Sequence, residues 1–357
     1  MKRLQRLVIP PPSTENLAIV SLDSPTSPTS PTSLPLTKTN TEATRVDPQS
    51  VKFSDLKIST MTMVIATNWN LDIAEIFTQF PITEFIVVRK KRGRKKKGPV
   101  IDPNEGVLSG SVICLEYSGE RRGPDLKPDK TSRNIKNKKK TKPFRNSISV
   151  VMKVGNKYVN GKISNNGKIQ ITGAKKLEHT ISFINNIWRL IRSLTSKGKM
   201  TYTLKNDDTV PKAVVKIVMT NIDYDLGYNI DRLKIDSYIK TEQARFISIF
   251  HPSSAYSGVN IKAVSKDYID NRMTLMTWDD TNELSTERCP YDQYVALLSE
   301  KDKVKEATPK DHYHTFLVFY SGRVIQSGPS YQDMEKVREQ FVELCCKQKD
   351  TFMEKRT

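Results

Sequence analysis

The residues of this 357-residue chain best suited to metal or nucleophilic chemistry are four cysteines and four histidines. Cys114, Cys289, Cys345 and Cys346 contain no Cys-x-x-Cys pair, so neither a structural zinc site nor a disulfide framework is expected, and the thiols are read as reduced. His179, His251, His312 and His314 stand apart from the cysteines; His312 and His314 would share one strand face, but no third ligand accompanies them. Asp207-Asp208 and Asp279-Asp280 fall in polar stretches without the partners of a two-metal carboxylate site. There is no Gly-rich phosphate loop, no Gly-x-Ser-x-Gly and no His-Glu-x-x-His, so an enzyme is not expected, nor is a cofactor. What remains is charge chemistry. Lys and Arg number 58 against 39 Asp and Glu, a net charge of +19. That balance calls for a polyanionic partner, nucleic acid first and an anionic membrane surface second. Residues 81–145 hold most of the excess, with 19 Lys/Arg against 7 Asp/Glu. Within them Lys91-Arg92-Gly93-Arg94-Lys95 resembles an AT-hook core, in which Arg-Gly-Arg enters a narrow A·T minor groove. The usual proline is replaced by Lys95, so a nuclear-localisation or general phosphate-binding tract and a merely solvated run stand beside that reading.

Such a charge must be carried by ordered elements. Residues 1–50, with the triplets SPTSPTSPTS at 24–33, read as a disordered Ser/Pro/Thr-rich tail, because proline at every third position blocks helix and sheet. No apolar run reaches 18 residues and the N-terminus lacks a signal-peptide core, so an intracellular, soluble protein with no membrane partner is expected. ISTMTMVIAT (58–67) is rich in β-branched residues and reads as a strand, and NLDIAEIFTQF (70–80) has helical spacing. Residues 81–145 read as a basic insertion in which VICLEY (112–117) adds a local strand. SISVVMKV (147–154), YVNGKIS (158–164) and GKIQIT (167–172) read as an antiparallel meander, with Asn165-Asn166-Gly167 as a tight hairpin. The stripe Ile181, Ile184, Ile187, Trp188, Ile191 and Leu194 then makes a long amphipathic helix over 173–194.

The same order of elements returns. VKIVMTNIDYDLGYNIDRLKI (215–235) resembles MTMVIATNWNLDIAEI (61–76), with Met61 to Val64 matching Met219 to Ile222 at an offset of 158 and Asn70 to Asp72 matching Asn229 to Asp231 at 159. YSGVNIKAV (256–264) resembles ISVVMKV (148–154), and HTFLVFYSGRVIQSG (314–328) resembles VNGKISNNGKIQITG (159–173) at an offset of 155. A helix over 329–346 closes the second copy. The expected organisation is a first repeat over 51–200 carrying the insertion 81–145, a second over 201–350 carrying an insertion at 265–311, and a tail at 351–357. Each copy is a helix-backed sheet with one face uncovered, and two such sheets can join at an edge.

On these residues the chain resembles the TATA-box-binding protein family. GKIQITGAK (167–175) looks like the family's central hairpin, FLVFYSGRVIQSG (316–328) like its equivalent, and YSGVNIK (256–262) like its Phe-Pro-Gly strand. The resemblance covers about 55–350 apart from the insertions and is closest to a divergent branch such as those of large DNA viruses. It implies an α+β fold, a two-repeat saddle-shaped antiparallel sheet with helices on the convex face. It also implies a general transcription initiation factor that bends promoter DNA through the minor groove, with flexible T-A steps lowering the cost of kinking.

Carried over by position, Phe319 and Tyr256 stand at aromatic wedge positions, while Ser147 and Ser164 occupy the corresponding places in the first copy, with Phe144 near but out of phase. A one-sided wedge follows. Phe319 alternates in phase with Leu317, leaving Phe316 and Val318 for the helices, although core burial is the ordinary fate of such an aromatic. Thr172 and Ser327 match hydroxyl positions facing the groove, and Thr62 and Asn221 lie near its central asparagine positions. Lys153, Lys168, Lys175, Lys262 and Arg323 fall at expected phosphate contacts. The implied partners are double-stranded DNA, a transcription factor B-like protein and RNA polymerase subunits, with a monomer on DNA, in a nucleus or a cytoplasmic virus factory or virion. Two other readings stand beside this one. A sequence-indifferent architectural or packaging DNA-binding protein would share its steep salt dependence. A nuclease or glycosylase would need a catalytic constellation that the sequence lacks.

Overall fold

Burial alternates along the first strand, β1 (Ile58–Thr67): Met61, Met63 and Ile65 are buried, while Thr60, Thr62 and Val64 are only half-buried. A period of two with one apolar side makes a strand that covers a core on one face only. The computed structural model describes residues 48–87, 103–126, 146–242, 245–252, 258–265, 273–308, 311–329 and 331–354. The tail 1–47, Arg92-Gly93-Arg94, Phe144 and Tyr256 lie outside the described residues.

After β1 come β2 (Trp69–Leu71), α1 (Ile73–Gln79), β3 (Val112–Tyr117), β4 (Glu120–Arg122), β5 (Ser147–Val154), β6 (Lys157–Ser164), β7 (Ile169–Ala174), α2 (Leu177–Ser196) and β8 (Tyr202–Leu204). Then follow β9 (Lys212–Asp225), α3 (Arg232–Glu242), β10 (Phe246–Ile249) and β11 (Gly258–Ser265). Next are β12 (Met273–Trp278), β13 (Leu284–Cys289), α4 (Tyr291–Ala296) and α5 (Glu300–Ala307). The chain closes with β14 (His312–Phe319), β15 (Arg323–Gly328), α6 (Tyr331–Lys347) and α7 (Lys349–Phe352). The main sheet is antiparallel and runs β10-β11-β14-β15-β9-β1-β7-β6-β5-β3-β4, with the hairpin β12–β13 attached to β9 beyond the end of β15, on the edge away from β1. The order therefore mirrors itself about the β1·β9 pair. Each half-sheet has its own helix-side core. Phe183, Ile184, Ile187, Trp188 and Ile191 of α2 pack on β1, β5, β6 and β7. Met334, Val337, Phe341 and Val342 of α6 pack on β9, β11, β14 and β15.

The strand register corrects two readings of the sequence. VICLEY forms a strand with the bounds expected, but not a local one: β3 pairs with β5 in the sheet and buries Val112, Ile113 and Leu115. It holds in its half the place that β10 holds in the other. The second correction concerns offset. Met61 faces Thr220 and Thr62 faces Met219, so Met61 lies on the helix side and Met219 on the opposite side. Matching Met61 with Met219 at 158 would therefore turn every side chain over, because a one-residue slip exchanges the two faces of a strand. An offset of 159 keeps the faces. It pairs Met61 with Thr220 and Thr62 with Asn221. It also relates the two bulge residues that the β1·β9 register skips, Ser59 and Val218. The same offset relates the N-caps. Asp72 accepts from the amides of Ala74 and Glu75 at 2.7 and 3.3 Å, and Asp231 from those of Leu233 and Lys234 at 3.0 and 3.2 Å. Each cap is worth about 1 kcal/mol.

Part of the segment 265–311, expected as an insertion in the second copy, joins the first half's core. Trp278 of β12 packs against Trp69 and Trp188 with ring centroids 5.4 and 5.7 Å apart, and its indole donates to Asn185 Oδ1 at 2.9 Å. All three tryptophans of the chain thus sit in one cluster.

His314 lies on the helix side of β14, fully buried, with neither ring nitrogen hydrogen-bonded among the described residues. Burial holds its pKa below the ordinary value, with the charge of Asp333 opposing weakly. The unfolded chain then binds a proton that the folded chain refuses. Stability is present above the ordinary histidine pKa and falls as pH drops through it, with a slope of at most about 1.4 kcal/mol per pH unit. Thermal melts from pH 7.5 to 5 are expected to show this loss, and His314→Gln to flatten it.

Candidate nucleic-acid interface

Residues directly opposite one another in antiparallel strands share a face, so the register assigns the side away from α2 and α6 residue by residue. In the second half one row crosses five strands of this open face as Lys262, Thr315, Ser327, Asn221 and Thr60, and Ile247 extends it to the edge. The adjacent row holds Ile249, Asn260, Leu317, Ile325 and Asp223. Phe319 lies two residues beyond Leu317, with Gly258 directly across from it. Phe316 and Val318 are fully buried on the helix side, whereas Leu317 and Phe319 are half-buried and belong to no described core cluster. Apolar residues at the outer margin are open to solvent, Ile247 at 47%, Ile249 at 41% and Val264 at 45%. Lys262 lies over the ring of Tyr313, 5.2 Å from its centroid. Arg323 is exposed at the β14–β15 turn, opposite Asp225.

The first half presents a different surface. Ser147 and Ser164 face each other where the second half has Gly258 and Phe319. Lys162 faces Ser149 and Gln170, and Thr172 faces Asn160, all on the open side. Lys153 stands opposite Tyr158, its ammonium 3.5 Å from the Asn104 carbonyl, and Lys175 follows the end of β7. The register places Lys262 at the level of Val151, because Thr315 and Asn160 occupy the same hairpin position. Lys153 and Lys262 are therefore not counterparts, and Gly258 lies across from Phe319.

The largest departure from the sequence reading is that the open face is not uncovered throughout. α4 and α5 lie on the first half's side of it. Tyr294, Leu297 and Leu298 pack on Ala66 of β1 and Val214 of β9, with half-buried Val64 alongside. Lys168, expected at a phosphate, is paired with Asp302 at 3.0 Å. Burial raises the Asp302 carboxyl, but the hydrogen bond and charge of Lys168, with help from Ser299 and Lys305, bring it below its ordinary value. Lys216, opposite Val64, is paired with Glu306 at 2.6 Å and sits 4.8 and 5.4 Å from the ring centroids of Tyr291 and Tyr294. Lys205 donates to the carbonyls of Thr67 and Asn166 at 2.7 and 2.6 Å and lies 3.5 Å from that of Leu297. It joins β1, the β6–β7 hairpin and the end of α4, and burial lowers its pKa. Thr315 follows from alternation in phase with Phe319 in β14, and Ile325 from alternation in phase with Ser327 in β15. No sequence signal announces Asp302 on Lys168, across 134 residues.

No family model matches the chain. Uncharacterized protein 335L of Invertebrate iridescent virus 6 is 26% identical over 226 residues, which cover 59% of this chain and 63% of that protein. A TATA-box-binding protein-like protein of Acanthamoeba polyphaga mimivirus is 28% identical over 195 residues, covering 47% of this chain and 51% of that protein. The chain is thus similar over about half its length to a protein named as TATA-box-binding protein-like. It spans about half to two thirds of the length of these two relatives. Among solved structures, Methanococcus jannaschii TBP matches at 16% identity with a TM-score of 0.35, covering 81% of this chain and 96% of that one. Among the described residues no helix is long and apolar enough to cross a membrane, and no group of His, Cys, Asp or Glu is placed to hold a metal ion.

Proposed function

We propose that the open face binds duplex DNA in the minor groove and bends it, as a step in recruiting a transcription machine. The observation that carries this reading is Phe319. It stands with Leu317 on the side of the sheet away from the helices, next to a row of short hydroxyl and amide side chains. A groove floor of hydrogen-bond acceptors suits Thr315, Ser327, Asn221 and Thr60, and an unstacked base step suits a ring. The mimivirus relative's name points to the same family of binders.

The mirrored strand order, the paired bulges and the paired N-caps support reading the two halves as diverged copies of one unit. The wedge is one-sided, since serines take its place in the first half. The helix side, with α2 and α6, is where a transcription factor B-like protein and polymerase subunits would dock, in a nucleus or a virus factory.

Fluorescence anisotropy on labelled duplexes tests the proposal. A duplex with a central T-A-rich element is expected to bind at least about tenfold more tightly than a G·C-rich duplex of equal length at the same salt. Equal affinities would favour a sequence-indifferent packaging protein and overturn the reading.

A further inference from the structure

We propose that α4 and α5 are a built-in cover of the open face, whose carboxylates Asp302 and Glu306 hold Lys168 and Lys216 out of contact with nucleic-acid phosphates. This deepens the groove-face reading and rests on it. The two carboxylates are four residues apart on α5, so they project from one side of the helix. They meet Lys168 of the β6–β7 turn and Lys216 of β9, at 3.0 and 2.6 Å. Asp302 also accepts from the Ser299 hydroxyl at 3.0 Å and lies 3.4 Å from the Asn166 amide, and Glu306 accepts from the Tyr291 hydroxyl at 2.7 Å. An acidic side chain at each lysine occupies the place a phosphate oxygen would take.

The two helices are held differently. α4 is fixed by Tyr294 and, just after it, Leu297 and Leu298 in an apolar cluster, and by Lys205 under its end. α5 buries none of its residues, and its outer side leaves Val304 69% exposed between Lys301 and Lys305. Its hold on the sheet is therefore mainly electrostatic, through part-exposed Asp302, Glu306 and Lys168 and through buried Lys216. The cover lies over the β6–β7 turn and the Val64–Ala66/Val214–Lys216 end of the central strand pair and leaves clear the half that has Phe319. It thereby confines the duplex to the second half and the Thr60/Asn221 end of the central pair and gives the complex a direction.

The test is the double variant Asp302→Asn/Glu306→Gln, with Lys168→Ala made in both backgrounds. Removing the two charges is expected to tighten duplex binding about three- to tenfold. It should also steepen the plot of log affinity against log salt by up to about 0.9 for each lysine released. Lys168→Ala is expected to leave wild-type affinity and slope unchanged and to cancel part of the gain in the double variant. A readout without DNA reports the cover itself: acylation of Lys216, followed by mass spectrometry, should be slow in the wild type and fast in the double variant. Tryptophan emission from the Trp69–Trp188–Trp278 cluster checks that the variant is folded. The proposal is overturned if Lys168→Ala weakens the wild type and lowers its slope by about one contact, or if Lys216 acylates equally fast with and without the carboxylates. Failure of the groove-face reading looks different: loss of T-A preference in the wild type with the acylation contrast intact.

Discussion

Phe319→Ala is expected to lower affinity for a T-A-rich duplex by about ten- to a hundredfold, corresponding to roughly 1.4–2.8 kcal/mol, and to abolish most of the bend read by end-to-end energy transfer. The ring is half-buried on the open face and belongs to no described core cluster, so its removal leaves no cavity beneath the helices. Thermal stability should therefore shift by less than about 1 kcal/mol. Phe316, three residues earlier, supplies the contrast. It is fully buried and stacks on Phe341 with centroids 4.2 Å apart and planes 18° from parallel. Phe316→Ala should cost about 3–5 kcal/mol of stability and act on DNA only through loss of fold. If Phe319→Ala destabilises the protein as much as Phe316→Ala, the ring is core and the wedge is lost. If it leaves both affinity and bend untouched, the duplex lies elsewhere. Restoring affinity with Phe319→Leu but not the bend would show that the wedge needs a flat ring rather than apolar area alone.

This contrast is legible in the sequence because β14 alternates without interruption from Tyr313 to Phe319. Period-two patterning fixes which residues share a face. It does not fix which strand lies beside which, nor the register between them. Bulges make the difference at the centre of the sheet. Ser59 and Val218 each insert one residue, so a match of sequence letters at an offset of 158 looks as good as the match at 159 that respects the faces. The hairpin pairs and the helix stripe are readable because their determinants are local: Gly167 for the turn, and the spacing Ile184, Ile187, Trp188, Ile191 for α2. β3 is hard to place because it lies between two basic tracts whose composition dominates any window around it. The cover is not readable at all. Asp302 and Glu306 sit in a stretch, EKDKVKEA, that balances its charges and looks like any solvated helix. Only the fold brings it to Lys168 and Lys216, whose positions in the sequence give no hint of carboxylate partners. The same contacts change the reading of Lys168, which the family resemblance assigns to phosphate.

The two hairpin glycines carry the strongest stability prediction. Gly167 closes the β6–β7 turn at φ +73° and Gly322 the β14–β15 turn at φ +83°, a region costly for any residue with a Cβ. Both turns are pressed against backbone. A Cβ on Gly167 would collide with the Trp69 carbonyl oxygen and the Thr67 hydroxyl, and one on Gly322 with the Tyr228 carbonyl oxygen. Trp69 and Tyr228 are themselves related by the offset of 159, so each half seats its hairpin on the same peptide just ahead of its first helix. Neither neighbour can yield cheaply. Thr67 is buried and donates to the Gly167 carbonyl at 2.8 Å, and Gly322 accepts from the Leu226 amide at 2.9 Å. Gly198, at φ +65° with open space for 4 Å around the place a methyl would take, separates the two costs. Gly198→Ala should lose about 1 kcal/mol for the left-handed conformation alone. Gly167→Ala and Gly322→Ala should each lose about 3 kcal/mol or more, because the backbone must also move. Denaturation followed by tryptophan emission reports the first half, where all three tryptophans lie, and amide exchange in β14 and β15 reports the second. If the central β1·β9 pair couples the halves into one cooperative unit, either glycine variant shifts both signals together. If Gly167→Ala moves tryptophan emission and leaves exchange in β14 unchanged, the halves unfold separately. A loss no larger than that of Gly198→Ala would mean that the hairpins do not rest on those carbonyls.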